Sequence, residues 1–348
     1  MDAFLQMASQ DRRLACLQVE DQMRLQAASV EKDFWVCWTL RELTALPDIG
    51  KSITFKGGTS LSKAWKLIER FSEDIDIVVD KEILGFGGDA APDRAPSKKQ
   101  RGKRLDALIE ACRNWIQKTL QPALTVQITS RLDVSTAANA WKLEVDPDAA
   151  DGQCLLLHYP SAFQPSEAGY VRPVVKIELG ARSDDWPSES CDLQPYLTEA
   201  LPQLAANATF PVRTLVAERT FWEKAMLLHE ETFRPASKPR QIRLARHYYD
   251  LWCLIERGVA ERAAADSILF KRVAEHREIF FRWAWVDYST HRPGSLRLLP
   301  TDQQRDFWRK DYEAMRGPMF FGDPPTFYEI MNVVGNFERR FNETAAAS

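Results

Sequence analysis

The sequence predicts an α+β protein with a mixed β-sheet in the first part of the chain and a helical C-terminal part. Short apolar runs at residues 53–55 and 75–79, rich in β-branched side chains, are typical of buried strands. Residues 174–179 alternate between apolar and charged side chains, as a strand with one polar face does. From residue 214 onward the apolar residues instead repeat at the spacing of amphipathic helices.

Length and composition indicate an ordinary globular protein with two domains. The chain has 348 residues, of which 45% are hydrophobic and 27% are charged. It contains no run of about 18 apolar residues, and its polar N-terminus lacks the pattern of a secretory signal. We therefore expect a cytoplasmic protein with no membrane partner. The net charge of −3 gives no general attraction to nucleic acids, so RNA binding requires local basic clusters.

The cysteine and histidine residues exclude several kinds of site. The six cysteines are scattered without CxxC spacing, and the five histidines show neither HxH nor HExxH spacing. These patterns argue against a zinc site and a disulfide framework, and they fit a reducing compartment. Neither the GxSxG motif of acyl hydrolases nor the P-loop motif occurs, so both of those classes lack support.

The N-terminal stretch is predicted to be helical. Apolar side chains fall at helical spacing over residues 11–46, and three consecutive charged residues, Glu31, Lys32 and Asp33, lie near a helix start. We interpret these three as a solvated or structurally paired helix entry rather than as catalytic groups, because clusters of charge usually lie on exposed faces.

The stretch at residues 55–80 carries the strongest chemical signal. Gly57, Gly58 and Thr59 form a turn between a strand and a short helix, where glycines let the backbone approach a ligand and helix-start amides favour anions. In an extended strand alternate side chains share a face, so Asp74 and Asp76 point the same way. Two neighbouring carboxylates repel each other, and the usual compensation is a divalent cation such as Mg²⁺, which also binds substrate phosphates. This stretch therefore predicts a metal and phosphate site.

A basic cluster follows an irregular loop at residues 85–96. Five positive charges fall within seven residues: Lys98, Lys99, Arg101, Lys103 and Arg104. A solvated helix start and a phosphate-contacting patch for RNA fit this pattern equally well, and the sequence leaves both interpretations open.

The middle of the chain is predicted to extend the sheet. Residues 105–120 have helical periodicity that ends at Pro122. Three short runs bounded by turn residues then predict strands in a mostly antiparallel arrangement, at residues 124–128, 141–145 and 154–159.

The strand predicted at residues 174–179 offers a third carboxylate. Its alternation places Lys176 and Glu178 on one face. If this strand lies beside the strand of Asp74, Glu178 joins the metal site and can accept a proton from an attacking hydroxyl. An exposed cross-strand ion pair is an equally valid interpretation.

The C-terminal part is predicted to contain five helices, at residues 214–231, 241–257, 260–285, 307–316 and 327–341. Lys224 lies among aromatic and apolar residues on the first of them, which suggests a task such as gripping a triphosphate. Asp250 on the second has two interpretations, a salt bridge to Arg246 or a functional role.

A second basic cluster is a candidate lining of an RNA or nucleotide groove: Arg234, Lys238, Arg240, Arg243, Arg246 and His247.

Six short segments together strongly resemble the AbiEii/AbiGii toxin family of nucleotidyltransferases. In chain order they are residues 31–35 (EKDFW), 56–61 (KGGTSL), 70–76 (RFSEDID), 219–224 (RTFWEK), 249–251 (YDL) and 311–315 (DYEAM). The DxD pattern of Asp74 and Asp76 alone is a weak indication of a family. The full set in this order is specific, and it spans most of the chain.

The resemblance implies a DNA polymerase β-like nucleotidyltransferase domain followed by a helical C-terminal domain. We place the first domain at residues 1–205, with N-terminal helices at 1–50 and a catalytic core at 51–180, and the second at 206–348. By this likeness Asp74 and Asp76 bind Mg²⁺ or Mn²⁺, Lys224 contacts phosphate, and Asp250 completes the site. Triphosphate contacts are expected from the glycine turn and its neighbours: Lys56, Gly57, Gly58, Thr59 and Ser60.

The implied activity is that of a toxin from a toxin–antitoxin pair involved in phage defence. Such an enzyme transfers a nucleoside monophosphate from an NTP to an RNA, with the tRNA 3′ end as the expected acceptor, and so blocks translation. The implied partners are the NTP, the RNA and a cognate antitoxin. Two other activities fit the same residues: NMP transfer to, or phosphorylation of, a protein hydroxyl, and nucleotide binding without catalysis.

Overall fold

The computed structural model describes residues 1–132, 141–164 and 171–344, and the chain packs into two compact units. Unit 1 comprises Met1–Ala64 and Ser72–Thr214. Unit 2 comprises Trp65–Phe71 and Leu215–Ser348, of which residues 345–348 lie outside the described part. The domain boundary between residues 205 and 206 stays a prediction.

Three helices begin unit 1: Asp2–Leu5 (α1), Ser9–Met23 (α2) and Ala27–Thr44 (α3). The predicted helical character of this stretch is confirmed. α3 is buried along nearly its whole length, including its charged residues Glu31, Lys32 and Asp33. Each of these three has a polar partner, so the structurally paired interpretation is confirmed and the solvated one was wrong.

The sheet consists of seven strands: Ile53–Lys56 (β1), Ile75–Val79 (β2), Lys142–Val145 (β3), Cys154–His158 (β4), Val174–Gly180 (β5), Ser188–Leu193 (β6) and Phe210–Leu215 (β7). Their order is β3-β4-β5-β2-β1-β7-β6. β2 pairs with β5 in parallel and β1 pairs with β7 in parallel, whereas β1–β2, β3–β4 and β4–β5 are antiparallel. The predicted α+β class with a mixed sheet is therefore confirmed.

Two strands, β6 and β7, have no counterpart in the sequence prediction. β6 lies at the end of the strand order and is mostly polar and exposed, so it lacks the apolar alternation that marks an internal strand. β7 does alternate between buried and exposed residues. It contains Pro211, which is rare inside strands, and a helical pattern follows it directly. For these two reasons the strand was not predicted from the sequence.

The other helices of unit 1 are Gly57–Lys63 (α4), Lys98–Trp115 (α5), Gln121–Leu132 (α6) and Tyr196–Ala200 (α7). The strand predicted at residues 124–128 was wrong, because this stretch lies within α6. Leu124, Ile128 and Leu132 recur at helical spacing and are all buried. Pro122 does not end the helical pattern, because a π-helical turn, Ile116–Leu120, joins α5 directly to α6 and the chain stays helical through this residue.

Unit 2 is helical: Ala217–Thr232 (α8), Arg246–Glu256 (α9), Val259–Ala265 (α10), Ser267–Phe280 (α11), Asp302–Met319 (α12) and Phe327–Glu343 (α13). The helical C-terminal part is thus confirmed, but the single helix predicted at residues 260–285 is two helices. Asp266 separates them, because its side chain accepts a hydrogen bond from the Leu269 N–H at 2.9 Å and caps α11. Throughout the described ranges of the chain, we find no helix long and apolar enough to cross a membrane.

Two buried histidines lie side by side in unit 2. His229 Nδ1 accepts a hydrogen bond from the Arg297 N–H at 2.8 Å, and His229 Nε2 lies 2.8 Å from Thr290 Oγ1. The ring of His291 is centred 4.9 Å from that of His229, and its nitrogens have no hydrogen-bond partner among the described residues. Burial lowers the pKa of His229 to about 4 and the pKa of His291 to about 3. Both rings are therefore neutral in the folded protein near neutral pH.

We predict that this pair makes the fold sensitive to acid, with the free energy of unfolding falling as the pH drops from 6.5 toward 4. In this window unfolded histidines bind protons that the folded ones do not, so lowering the pH favours the unfolded state. The slope is at most about 1.4 kcal/mol per pH unit for each histidine. Urea unfolding at several pH values should show a shallower dependence for His291→Leu than for wild type. Equal slopes in the two proteins would contradict the prediction.

Candidate nucleotidyltransferase site

Asp74 and Asp76 lie at the start of β2 in unit 1. Asp74 directly precedes the strand, and Asp76 is its second residue. Ile75 and Ile77 are buried, whereas both aspartates are only partly buried. This alternation confirms the prediction that the two carboxylates share one face of the strand.

β5 brings a third carboxylate beside these two. Its parallel pairing with β2 places Glu178 opposite Asp76, so the predicted adjacency of the two strands is confirmed. Lys176 Nζ lies 2.7 Å from Glu178 Oε1. The ion pair that was the alternative interpretation is therefore present too, although it lies within β5 rather than across strands. A role for Glu178 as a proton acceptor stays a prediction.

The electrostatics around Asp74 favour a bound cation. Its pKa is raised, first by burial and then by the negative charges of Glu178 and Glu73. Within the described ranges, no three His, Cys, Asp or Glu side chains are arranged to enclose a metal ion. Mg²⁺ needs no such cage, because it commonly binds one or two carboxylates and completes its shell with water and substrate phosphates. Asp74 and Asp76 therefore form a donor set that fits Mg²⁺ or Mn²⁺.

Gly57 packs directly against the Asp76 carboxylate. The turn predicted at residues 57–59 is the first turn of α4, and Gly57 begins it with a φ of +82°, in the left-handed region. A Cβ added at this position would lie 1.9 Å from Asp76 Oδ2 and 2.9 Å from Asp76 Cβ. Only glycine fits here, because it tolerates the backbone conformation and leaves room for the carboxylate.

We predict that Gly57→Ala lowers the rate of nucleotide transfer by about 100-fold, since a displacement of about 1 Å at a reacting group has effects of that size. Gly85→Ala is the matched control, because Gly85 has the same φ of +82° and no heavy atom within 4 Å of an added Cβ. Both variants carry the same kind of backbone strain, and only Gly57→Ala displaces Asp76. Equal transfer rates in the two variants, measured with labelled NTP, would contradict this prediction.

The hydroxyl groups next to the glycines hold α4 against the start of β2. Thr59 Oγ1 donates a hydrogen bond to the Asp74 carbonyl at 2.6 Å. Ser60 Oγ donates to the Gly57 carbonyl at 2.9 Å. Both side chains are buried, so the structure gives them a role in positioning the aspartate strand.

The remaining predicted triphosphate contacts lie beside these residues. Lys56 is the last residue of β1, and its Nζ donates to Ser183 Oγ at 3.0 Å. Gly58 is the second residue of α4. Binding of the triphosphate by residues 56–60 stays a prediction.

Two buried charges of α3 support the same region, a function that the sequence analysis did not assign to them. Lys32 pairs with Glu73, the neighbour of Asp74, at 2.5 Å. Asp33 pairs with Lys63, the last residue of α4, at 2.9 Å. The signal that could have predicted these pairs is the apolar sequence around the charged residues of α3. A helix that is buried on all sides also buries its charged side chains, and buried charges must be paired.

Lys224 and Asp250 are brought together within unit 2. Lys224 Nζ on α8 lies 2.9 Å from Asp250 Oδ2 on α9. Arg70 donates two hydrogen bonds to the same carboxylate, at 2.6 and 2.8 Å. Burial alone would raise the pKa of Asp250, but the positive charges of Arg70 and Lys224 hold it far below its ordinary value. The partners of Asp250 are thus Arg70 and Lys224, so of its two interpretations the salt bridge to Arg246 was wrong.

Arg70 was missed because no sequence spacing connects it with a residue 180 positions away. It does belong to the 70–76 segment that carries the family resemblance, and this was the available signal. Phosphate binding by Lys224 and completion of the site by Asp250 stay predictions.

The two predicted basic clusters differ in exposure. Arg104 donates to the carbonyls of Asp89 and Ala91, each at 2.8 Å, and Arg240 Nε lies 3.1 Å from Glu231 Oε2. The exposed members are Lys98, Lys99, Lys103, Lys238 and Arg243, and the partly buried ones are Arg101, Arg104, Arg234, Arg240, Arg246 and His247. Contacts of these residues with RNA stay predictions.

Most of the chain matches a known protein family. A family model described as "Nucleotidyl transferase AbiEii toxin, Type IV TA system" matches residues 38–344. Among solved structures, the chain is similar to MenT4, a nucleotidyltransferase toxin from Mycobacterium tuberculosis. That alignment has 16% sequence identity and a TM-score of 0.37, and it covers 94% of this chain and 98% of that chain. No curated protein sequence matches. The predicted family and enzyme class are confirmed: the chain belongs to the AbiEii family of nucleotidyltransferase toxins of type IV toxin–antitoxin systems.

Proposed function

We propose that this chain transfers a nucleoside monophosphate from an NTP to an RNA, with the 3′ end of a tRNA as the acceptor, and that it depends on Mg²⁺ or Mn²⁺. One observation carries the proposal: the parallel pairing of β2 with β5 assembles Asp74, Asp76 and Glu178 on neighbouring strands. Nucleotidyl transfer joins two polyanions, so it needs a site whose acidic ligands recruit a cation and whose geometry is fixed beforehand.

Asp74 and Asp76 are the residues that would hold the metal ion, which when bound offsets phosphate charge. The other residues of unit 1 position this pair. Gly57 keeps the Asp76 carboxylate close to α4, and Thr59 fixes the main chain at Asp74. Glu178 accepts the proton of the attacking RNA hydroxyl, whose oxygen bonds to the α-phosphorus of the NTP as pyrophosphate leaves. Lys176 holds the Glu178 carboxylate in place.

The exposed lysines at the start of α5 favour a nucleic acid as the acceptor. Lys98, Lys99 and Lys103 are exposed in the first two turns of this helix, where they can contact phosphates. The overall charge of −3 offers no general attraction, so such a local group would determine where RNA binds. A cognate antitoxin is the further partner, because the family belongs to toxin–antitoxin systems.

The proposal is tested by incubating the protein with each of the four NTPs, labelled at the α-phosphate, and with separate RNA and protein fractions. We expect label in the RNA fraction, in the presence of Mg²⁺ or Mn²⁺ and not after chelation with EDTA. Label in the protein fraction instead would assign the activity to a protein hydroxyl. Bound NTP with no label in either fraction would indicate a binding module without catalysis.

A further inference from the structure

Two tryptophans stack on each other in unit 2, in the segment that follows α11, and one of them, Trp283, is exposed while Trp285 is partly buried. The rings of Trp283 and Trp285 are centred 4.7 Å apart with an interplanar angle of 20°. Trp283 is 45% exposed, whereas the tryptophans of the core, such as Trp222 and Trp308, are buried. A large aromatic surface left in water is unfavourable unless a partner covers it. The proposed catalytic chemistry makes no use of this pair.

An arginine is fixed beside the stack. The Arg234 guanidinium lies 5.9 Å from the centre of the Trp283 ring and 5.3 Å from that of Trp285. Glu231 orients it, accepting hydrogen bonds from Nε at 2.7 Å and from Nη2 at 2.5 Å. This bidentate pair holds the guanidinium in place, so the aromatic and cationic groups keep one arrangement.

The segment that carries the tryptophans is itself anchored. Tyr288 is buried, and its hydroxyl accepts a hydrogen bond from the Trp283 N–H at 2.9 Å and donates to the Phe281 carbonyl at 3.2 Å. The Arg282 guanidinium lies 5.4 Å from the centre of the Tyr288 ring. The stack is therefore presented by an ordered backbone, and binding to it requires little further ordering.

The stretches around the stack are positively charged. Residues 230–246 and 277–297 together contain nine arginines and lysines but only four acidic residues, in a chain whose net charge is −3. Three of the four acids, Glu230, Glu231 and Glu278, are paired with arginines. This excess of positive charge selects a polyanion as the occupant in preference to an apolar protein segment.

We propose that Trp283 and Trp285 bind an unpaired base of the acceptor RNA by stacking, with Arg234 beside the base and neighbouring arginines near the backbone phosphates. This inference rests on the proposed function, and it adds a base-binding site in unit 2. Aromatic faces stack on any base, and arginine contributes a cation–π interaction, so this site recognises single-stranded RNA without demanding a sequence.

The test is the affinity of the full chain for a fluorescein-labelled single-stranded RNA of about ten nucleotides, measured by fluorescence anisotropy without NTP. Trp283→Ala should weaken binding about fivefold or more, and Trp283→Phe, which keeps a stacking face, should stay within about twofold of wild type. Trp186→Ala is the matched control, because Trp186 is 42% exposed and lies in unit 1. This control should bind the RNA as wild type does.

Three results would overturn the inference: no binding of the RNA by wild type, unchanged affinity in Trp283→Ala, or an equal loss of affinity in Trp186→Ala. A Trp283→Ala variant that escapes the antitoxin with unchanged RNA affinity would assign the surface to a protein partner and would also overturn it. Failure of the proposed function is a separate result. RNA affinity is measured without NTP, so wild type that binds RNA through Trp283 but transfers no nucleotide would refute only the catalytic proposal.

Discussion

The Asp76→Asn variant is expected to transfer nucleotide at least about 1,000-fold more slowly than wild type, because several kcal/mol of transition-state stabilisation depend on charge at this site. Asparagine has nearly the same shape as aspartate, but it carries no charge and replaces one acceptor oxygen by an NH2 donor. Asp76 is partly exposed, so its neutralisation should leave the fold intact. The measurements are the initial rate of label incorporation into RNA and a thermal unfolding curve of the same preparation.

Two further variants make this experiment specific. Glu189→Gln removes a carboxylate from an exposed position on β6 and should retain the wild-type rate. Glu178→Gln separates the two interpretations of that residue: loss of transfer supports proton acceptance, and retained transfer supports the ion pair with Lys176 alone. A near-wild-type rate in Asp76→Asn would contradict the metal site on β2.

Asp250→Ala is expected to lower the free energy of unfolding by about 3 to 5 kcal/mol. Asp250 is fully buried, and it is the shared partner of Arg70 and Lys224. Removing the carboxylate leaves two buried positive charges close to each other without a negative charge to neutralise them. The cost of these unpaired buried charges exceeds the net stabilisation that the ion pairs provide. Urea unfolding followed by circular dichroism measures the change.

A matched control is available at the surface. Asp306 on α12 is also paired with two cations, Arg309 at 2.6 Å and Lys310 at 2.8 Å, but it is solvent-exposed. Asp306→Ala should therefore leave the denaturation midpoint close to that of wild type. Replacing all three buried charges by methionine, in a combined variant of residues 70, 224 and 250, should restore most of the stability. Equal midpoints for Asp250→Ala and Asp306→Ala would contradict the account of the buried network.

The strands of the candidate site were predictable because their patterns are local. On β2 and β5 buried apolar residues alternate with Asp76 and Glu178. This period of two follows from the extended backbone of the strand itself and does not depend on which strands lie beside it. The sequence does not reveal which strands pair. It therefore supported only a conditional prediction, that Glu178 joins the metal site if its strand lies beside the strand of Asp74. The parallel pairing that sets Glu178 opposite Asp76 needed the structure.

Other features depend on contacts between distant residues or on ambiguous short patterns. The five residues at 124–128 are too few to distinguish a strand from one face of α6. The partners of Asp33 and Asp250 lie 30 and 180 positions away. Local spacing therefore left a solvated or a structurally paired helix entry open for the first, and a salt bridge to Arg246 or a functional role open for the second. In both cases burial determines the outcome, because an enclosed carboxylate must find a cation wherever the chain brings one.

The most direct test of nucleotide transfer by the β2 carboxylates is sequencing of RNA 3′ ends after incubation with all four NTPs and Mg²⁺. We predict that tRNA ends gain nucleotides with the wild-type protein and remain unchanged with Asp76→Asn. Unextended RNA in the wild-type reaction, or the same extension with both proteins, would contradict the proposed transfer of nucleotides to RNA by this site.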